Sequence, residues 1–165
     1  MDSLKLLALL KKEAETISLP DAVETEESGE EPEYQPGSIE YINRCMKKYN
    51  SAVFSEIIGS TPQIKNRELD PNLIEEFSSR LDAYLDKNAQ GQTDLKKYIR
   101  VVSLYLTFIA EKPLHPPGMV MRGIDRGISR DGKYFCFGPR SRKNEPIFMC
   151  QYCAAYTGRG KPNKK

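Results

Sequence analysis

The chain's one histidine, His115, is followed by three of its four cysteines, Cys136, Cys150 and Cys153, in the spacing H-x20-C-x13-C-x2-C. One imidazole and three thiolates make a complete tetrahedral ligand set. Zinc, which brings no redox chemistry of its own, accepts such a Cys3His shell. Cys150-x-x-Cys153 puts two sulfurs within reach of one ion, with the amides of the knuckle available to donate to them. Cys136 joins them if the intervening residues return as a hairpin or loop. His115 sits between Leu114 and Pro116-Pro117, a stiff backbone that can present the ring just beyond a helix. A single ion would then tie a helical body to a C-terminal module and contribute folding energy directly.

Other chemistry fits these residues less well. An iron–sulfur centre uses one histidine with three thiolates less commonly. A redox dithiol at Cys150 and Cys153 lacks the βαβ setting of thioredoxin-like proteins. Taken singly, His115 also reads as a surface or capping histidine, and Cys136 as core packing in an aromatic strand. If only three ligands bind, the open position makes zinc a Lewis acid that needs a base. Glu111 or Glu145, and less suitably Asp125 or Asp131, are the carboxylates at hand, although each also reads as a solvated surface or turn residue. A filled shell favours structure over catalysis, and the chain carries no serine-nucleophile, Walker or dinucleotide signature.

Charge is divided along the chain. Residues 111–165 hold twelve Lys/Arg and four Asp/Glu, a balance of +8, against −6 for residues 1–110. Arg122, Arg126, Arg130, Arg140, Arg142 and Lys143 form the candidate surface for nucleic acid or an acidic protein, and the turn from Gly123 to Gly127 is a candidate anion cradle. Tyr134, Phe135 and Tyr152 are available to stack on bases, though core packing competes for them. The same charges also suit a surface that simply keeps a small module in solution.

The elements that would position these groups can be read from apolar spacing. Residues 3–16 carry Leu6, Leu7 and Leu10 on one helical face, with Asp2 or Ser3 as cap. Residues 18–37 hold three prolines and the acidic run Glu24 to Glu31, too little apolar surface to offset the entropy of ordering, and read as a mobile loop. From Ser38 the helical period returns through Ile39, Ile42, Met46, Tyr49, Val53 and Ile57, with a kink or break expected at Asn50-Ser51. Cys45 falls beside this stripe and reads as a small core hydrophobe outside the metal set. Asp70-Pro71 is a strong helix start, followed by Leu73, Ile74, Phe77, Leu81, Tyr84 and Leu85. Thr93 is the expected cap of a central helix over 93–111, apolar nearly all round and stopped by Pro113. Beyond it, glycines punctuate the chain. Lys133 to Phe137 reads as a short strand led by the turn Asp131-Gly132. Residues 147–156 read as a strand or a short helix, and 157–165 as a basic disordered tail.

The expected architecture is mainly α: about four helices in a bundle over 1–112, with a small metal-bound β-hairpin and knuckle module over 113–156. At 165 residues the chain can bury a core without covalent staples. No secretory signal is evident, and no stretch approaches the ~18 apolar residues of a membrane span. A cytoplasmic setting, in which thiols stay reduced, is therefore expected. Substrate and oligomeric state are not legible.

The run Tyr105-Leu106-Thr107-Phe108-Ile109-Ala110-Glu111-Lys112-Pro113-Leu114-His115-Pro116, then Gly118, Tyr134-x-Cys136 and Cys150-x-x-Cys153, resembles a domain-of-unknown-function family of methanogenic archaea. Its motifs cover residues 104–156 specifically and the preceding helices loosely. The chain departs in the acidic stretch 18–37 and in having Phe137, not proline, after Cys136. The likeness implies an anaerobic cytoplasm, which raises the iron–sulfur alternative, and supplies no activity or substrate.

Overall fold

Asp2 accepts a hydrogen bond from the Lys5 amide at 2.8 Å and so caps α1 (Ser3–Ala14) in the computed structural model, which describes residues 1–18, 33–59, 64–121, 124, 126–138 and 149–155. The helix buries Leu6, Leu7, Leu10 and Ala14 on the face that their spacing predicts. α2 (Ile39–Gly59) runs unbroken through Asn50 and Ser51. Burial of Val53, Phe54 and Ile57 one turn later outweighs the modest helix penalty of those two residues. Ile39 is exposed, and Cys45 is half-buried on this helix, outside the core that the sequence suggested for it. α3 (Pro71–Asn88) starts as expected, with Pro71 in the first turn and the Asp70 carboxylate accepting from the Asn72 amide at 2.9 Å. It buries Ile74, Phe77, Leu81 and Leu85 and leaves Tyr84 exposed.

The central helix differs from its expected form. Thr93 is its first residue, and Gln92 occupies the cap position without a side-chain bond. α4 (Thr93–Leu104) then widens into a π-helical turn, Tyr105–Ile109, all five side chains of which are buried. The Ala110 amide donates to the Tyr105 carbonyl at 2.8 Å, five residues back. Two side-chain networks hold this altered end. Arg67 donates to the Phe108 carbonyl at 2.8 Å, a group that a continuing helix would have satisfied, and pairs with the carboxylate of Glu111. On the opposite side, Glu56 of α2 accepts from the Tyr105 hydroxyl at 2.8 Å and from Lys112 Nζ at 3.0 Å. Glu111 takes a left-handed φ of 51°, so the chain turns out of the helix before Pro113 is reached.

α1 packs on α2 and α4, α2 on α4, and α3 on α4, giving one apolar core. Past it, β1 (Arg126–Ile128) and β2 (Tyr134–Cys136) form an antiparallel hairpin with Arg126 opposite Cys136, Gly127 opposite Phe135 and Ile128 opposite Tyr134. β2 falls inside the expected strand. β1 lies in the stretch whose arginines and glycines suggest a basic turn, and it is a strand because Cys136 and its neighbours pair with it. The connecting turn is closed by the Ser129 amide donating to the Lys133 carbonyl at 2.8 Å, with Gly132 at a φ of +78°. Met149–Tyr152 is a single 3₁₀ turn. Tyr152 packs edge-on against Phe77 of α3 with ring centroids 5.2 Å apart, so the segment between Cys150 and Cys153 is anchored in the core. Most of the acidic loop (19–32), Arg140 to Lys143 and the tail lie outside the described residues. No helix among the described residues is long and apolar enough to cross a membrane.

Candidate metal and anion centre

Beyond the π turn, Cys153 comes near Cys136 and the backbone of Leu114, the residue before His115. Tyr49 of α2 donates its hydroxyl to the Pro113 carbonyl at 2.8 Å, fixing the backbone two residues before His115. Burial, with the nearby Tyr134, Cys153 and Glu56, raises the pKa of that phenol, so Tyr49 remains a donor throughout the ordinary pH range. Immediately after the 3₁₀ turn, the Cys153 amide donates to the Cys150 carbonyl at 3.3 Å. Burial pushes the Cys153 thiol up. The backbone amides of Ala155 and Leu114, which bond to its sulfur, act the other way and favour the thiolate. Cys136 is near enough to raise the thiol further, and Arg126 near enough to lower it. The backbone beside His115, Cys136 of the hairpin and Cys153 of the knuckle therefore share one neighbourhood.

Arg126 stands at its centre. Antiparallel register puts its side chain on the same face of the hairpin as Cys136. Only 8% of the residue is exposed, and neither Nε nor Nη1 has a hydrogen-bond partner among the described residues. Its charge also reaches His115, whose pKa falls to about 4, first through burial of the ring and then through this guanidinium. His115 as a residue is nevertheless exposed, at the edge of this neighbourhood. Both influences point the same way and leave the imidazole neutral at pH 7. A neutral imidazole and a thiolate are the protonation states that bind zinc.

Convergence stops short of a shell. Among the described residues, no three His, Cys, Asp or Glu side chains are gathered closely enough to hold a metal ion. The four cysteines form no disulfide. The residues named from sequence as nucleic-acid contacts divide as well. Arg126 is buried and is not part of an exposed basic surface. Arg130 is exposed, and Arg122, Arg140, Arg142 and Lys143 lie outside the described residues. Tyr152 is committed to the core and is not available to stack on a base.

The candidate bases fare no better. Glu111 is ion-paired to Arg67. Asp131 is held down to about 2 by hydrogen bonds from Ser129 and then Lys133, which makes it a poor proton acceptor near neutral pH. Asp125 and Glu145 lie outside the described residues. Sequence reasoning missed Tyr49, Glu56 and Lys112, which fix the segment leading to His115, and the inward face of Arg126. The one available signal was Lys112 beside Pro113, just past the end of the helix.

A family model described as an uncharacterized protein conserved in archaea (DUF2115) matches residues 2–157. A UPF0305 protein of Methanocaldococcus jannaschii is 26% identical over 160 residues, covering 93% of this chain and 94% of that protein. Another UPF0305 protein, from Methanothermobacter thermautotrophicus, is 26% identical over 160 residues, covering 94% and 96%. A third, from Methanococcus maripaludis, is 27% identical over 162 residues, covering 93% and 95%. No solved structure gives a significant match.

Proposed function

Because this chain belongs to that conserved archaeal family, with relatives in methanogens, and the family description carries no activity, we propose a role from its site: a binding module whose C-terminal segment is closed by zinc on His115, Cys136, Cys150 and Cys153. The observation that carries this reading is the surrounding of the Cys153 sulfur. Burial and the nearby Cys136 raise its pKa overall, and two backbone amides, one of them from the residue preceding His115, oppose that rise and favour the thiolate. Amide donors aimed at sulfur are what a thiolate ligand requires and what a packed, inert thiol does not. Zinc binding draws the four side chains together, as expected for sites whose assembly is coupled to folding. Zinc is preferred to an iron–sulfur cluster because of the imidazole in the set.

The partner is a polyanion, nucleic acid or an acidic protein, on the strength of the +8 balance after residue 110 and the exposed Arg130. Metal analysis of the purified full chain tests the first half. One tightly held zinc per chain is expected, lost in His115→Ala, Cys136→Ser, Cys150→Ser and Cys153→Ser and kept in Cys45→Ser. Equal loss in Cys45→Ser, or no metal in the unaltered chain, overturns the ligand set. For the second half, binding to a polyanion such as single-stranded RNA should weaken steeply between low and moderate salt. Affinity indifferent to salt, or none at low ionic strength, removes the partner reading.

A further inference from the structure

Arg126 is the one buried cation among the described residues, and its position demands an anion. An arginine left inside a fold without a partner is strongly destabilising, so a buried guanidinium is normally met by carboxylate, phosphate or another negative group. Here two of its nitrogens lack partners, and no ion pair reaches it among the described residues. Cys136 faces it across the hairpin, and both Cys153 and His115 lie within its field. A zinc ion held by three thiolates and a neutral imidazole carries one net negative charge. We propose that Arg126 is the built-in counter-charge of this metal–thiolate centre, placed by the hairpin register to neutralise it and to donate to its sulfurs. The proposal rests on the zinc reading above and names a residue that acts through the ligands, as a positioning group.

A role in holding the fold and a role in balancing the metal predict opposite signs. If Arg126 were a structural contact, its removal would destabilise the chain with or without metal. If it awaits a metal–thiolate anion, the metal-free chain carries an uncompensated charge that Arg126→Met relieves.

The experiment uses the full chain, with and without zinc, as unaltered protein and as Arg126→Met and Arg126→Lys. Zinc affinity is read by chelator competition, and the thermal midpoint is measured on the metal-free form. Arg126→Met should lower zinc affinity at least about tenfold, as loss of an outer-shell partner does. It should also raise the metal-free midpoint. Arg126→Lys, which keeps the charge, should recover most of the affinity.

Several results would overturn the proposal. An unaltered chain that binds no zinc removes the zinc reading and this inference together. Zinc bound equally well by Arg126→Met removes this inference alone and leaves the zinc reading standing. A metal-free midpoint lowered by Arg126→Met marks a structural contact and also overturns it. So does stabilisation of the metal-free chain by inorganic phosphate that Arg126→Met abolishes while zinc affinity stays unchanged, which would assign the guanidinium to a free oxyanion.

Discussion

Tyr49 and Gly127 lie outside the proposed ligand set and bear on how the candidate site is held. The Tyr49 hydroxyl is a short bond to the Pro113 carbonyl, in a segment where the following backbone must present His115. Tyr49→Phe leaves the ring in place and strands that carbonyl, which should lower stability by about 1 kcal/mol in urea unfolding. Zinc affinity should fall with it. Unchanged affinity would mean that the 113–115 segment needs no support from α2. At Gly127 an added Cβ would lie 3.0 Å from Phe135 Cζ, because the aromatic ring folds across the opposite glycine. Gly127→Ala must push a half-buried ring aside, and a cost of about 1 kcal/mol is expected. Altered amide shifts at both Arg126 and Cys136 would report it, whereas shifts confined to residue 127 would mean that the ring moves freely. At this scale the sequence singled out His115 and three cysteines as candidate ligands, since histidine and cysteine are rare here and their chemistry is specific. The burial of Arg126 stayed hidden because an arginine in a glycine-rich basic stretch reads as surface. Its burial depends on which residue it opposes across the hairpin, a matter of register that composition does not encode.

Among the elements, the link from α2 to the exit of the π turn runs through Glu56. Burial pushes its carboxyl up, but hydrogen bonds from Lys112 and Tyr105 outweigh this, and its pKa lies below the ordinary value. A depressed carboxyl stabilises the fold above its unfolded pKa, near 4.3, and the contribution disappears as pH falls through the folded value. Glu56→Gln should therefore be less stable than the unaltered chain at pH 7, by about 1 kcal/mol because both partners are about one-third exposed. The two should converge in unfolding midpoint below pH 4. A constant gap from pH 7 to pH 3 would show that packing, not the charge, accounts for the difference. The helices were legible because Leu6, Leu7 and Leu10, or Ile74, Phe77 and Leu81, repeat at intervals that only a helix brings to one face. The π turn was not, since Tyr105 to Ile109 are apolar all round and any helical pitch buries them; Arg67 and Glu56, distant in sequence, hold the pitch that forms. β1 escaped notice for a similar reason. Three residues with a central glycine carry almost no strand signal until a partner pairs with them.

Over the whole molecule, the helical body and the C-terminal module depend on one another unequally. The core is made by α1 to α4 and the π turn, and the C-terminal segment contributes chiefly Tyr152, which packs against Phe77. If zinc is bound as proposed, the bundle should persist when it is removed. Hydrogen exchange on the chelated chain should leave the buried faces of α3 and α4 protected while residues 113–138 and 149–155 exchange much faster. Tyr152→Ala should produce the same local loss with all four ligands intact, at a cost of about 3 kcal/mol for an aromatic residue cut from the core. It should weaken zinc binding, because the pair Cys150 and Cys153 is held to the body by that ring. The two perturbations differ in one respect. Excess zinc should restore protection to the Tyr152→Ala chain, since metal binding and docking stabilise the same arrangement. If zinc restores nothing, the ring is needed to build the ligand set; if chelation leaves exchange of the module unchanged, no metal is holding it.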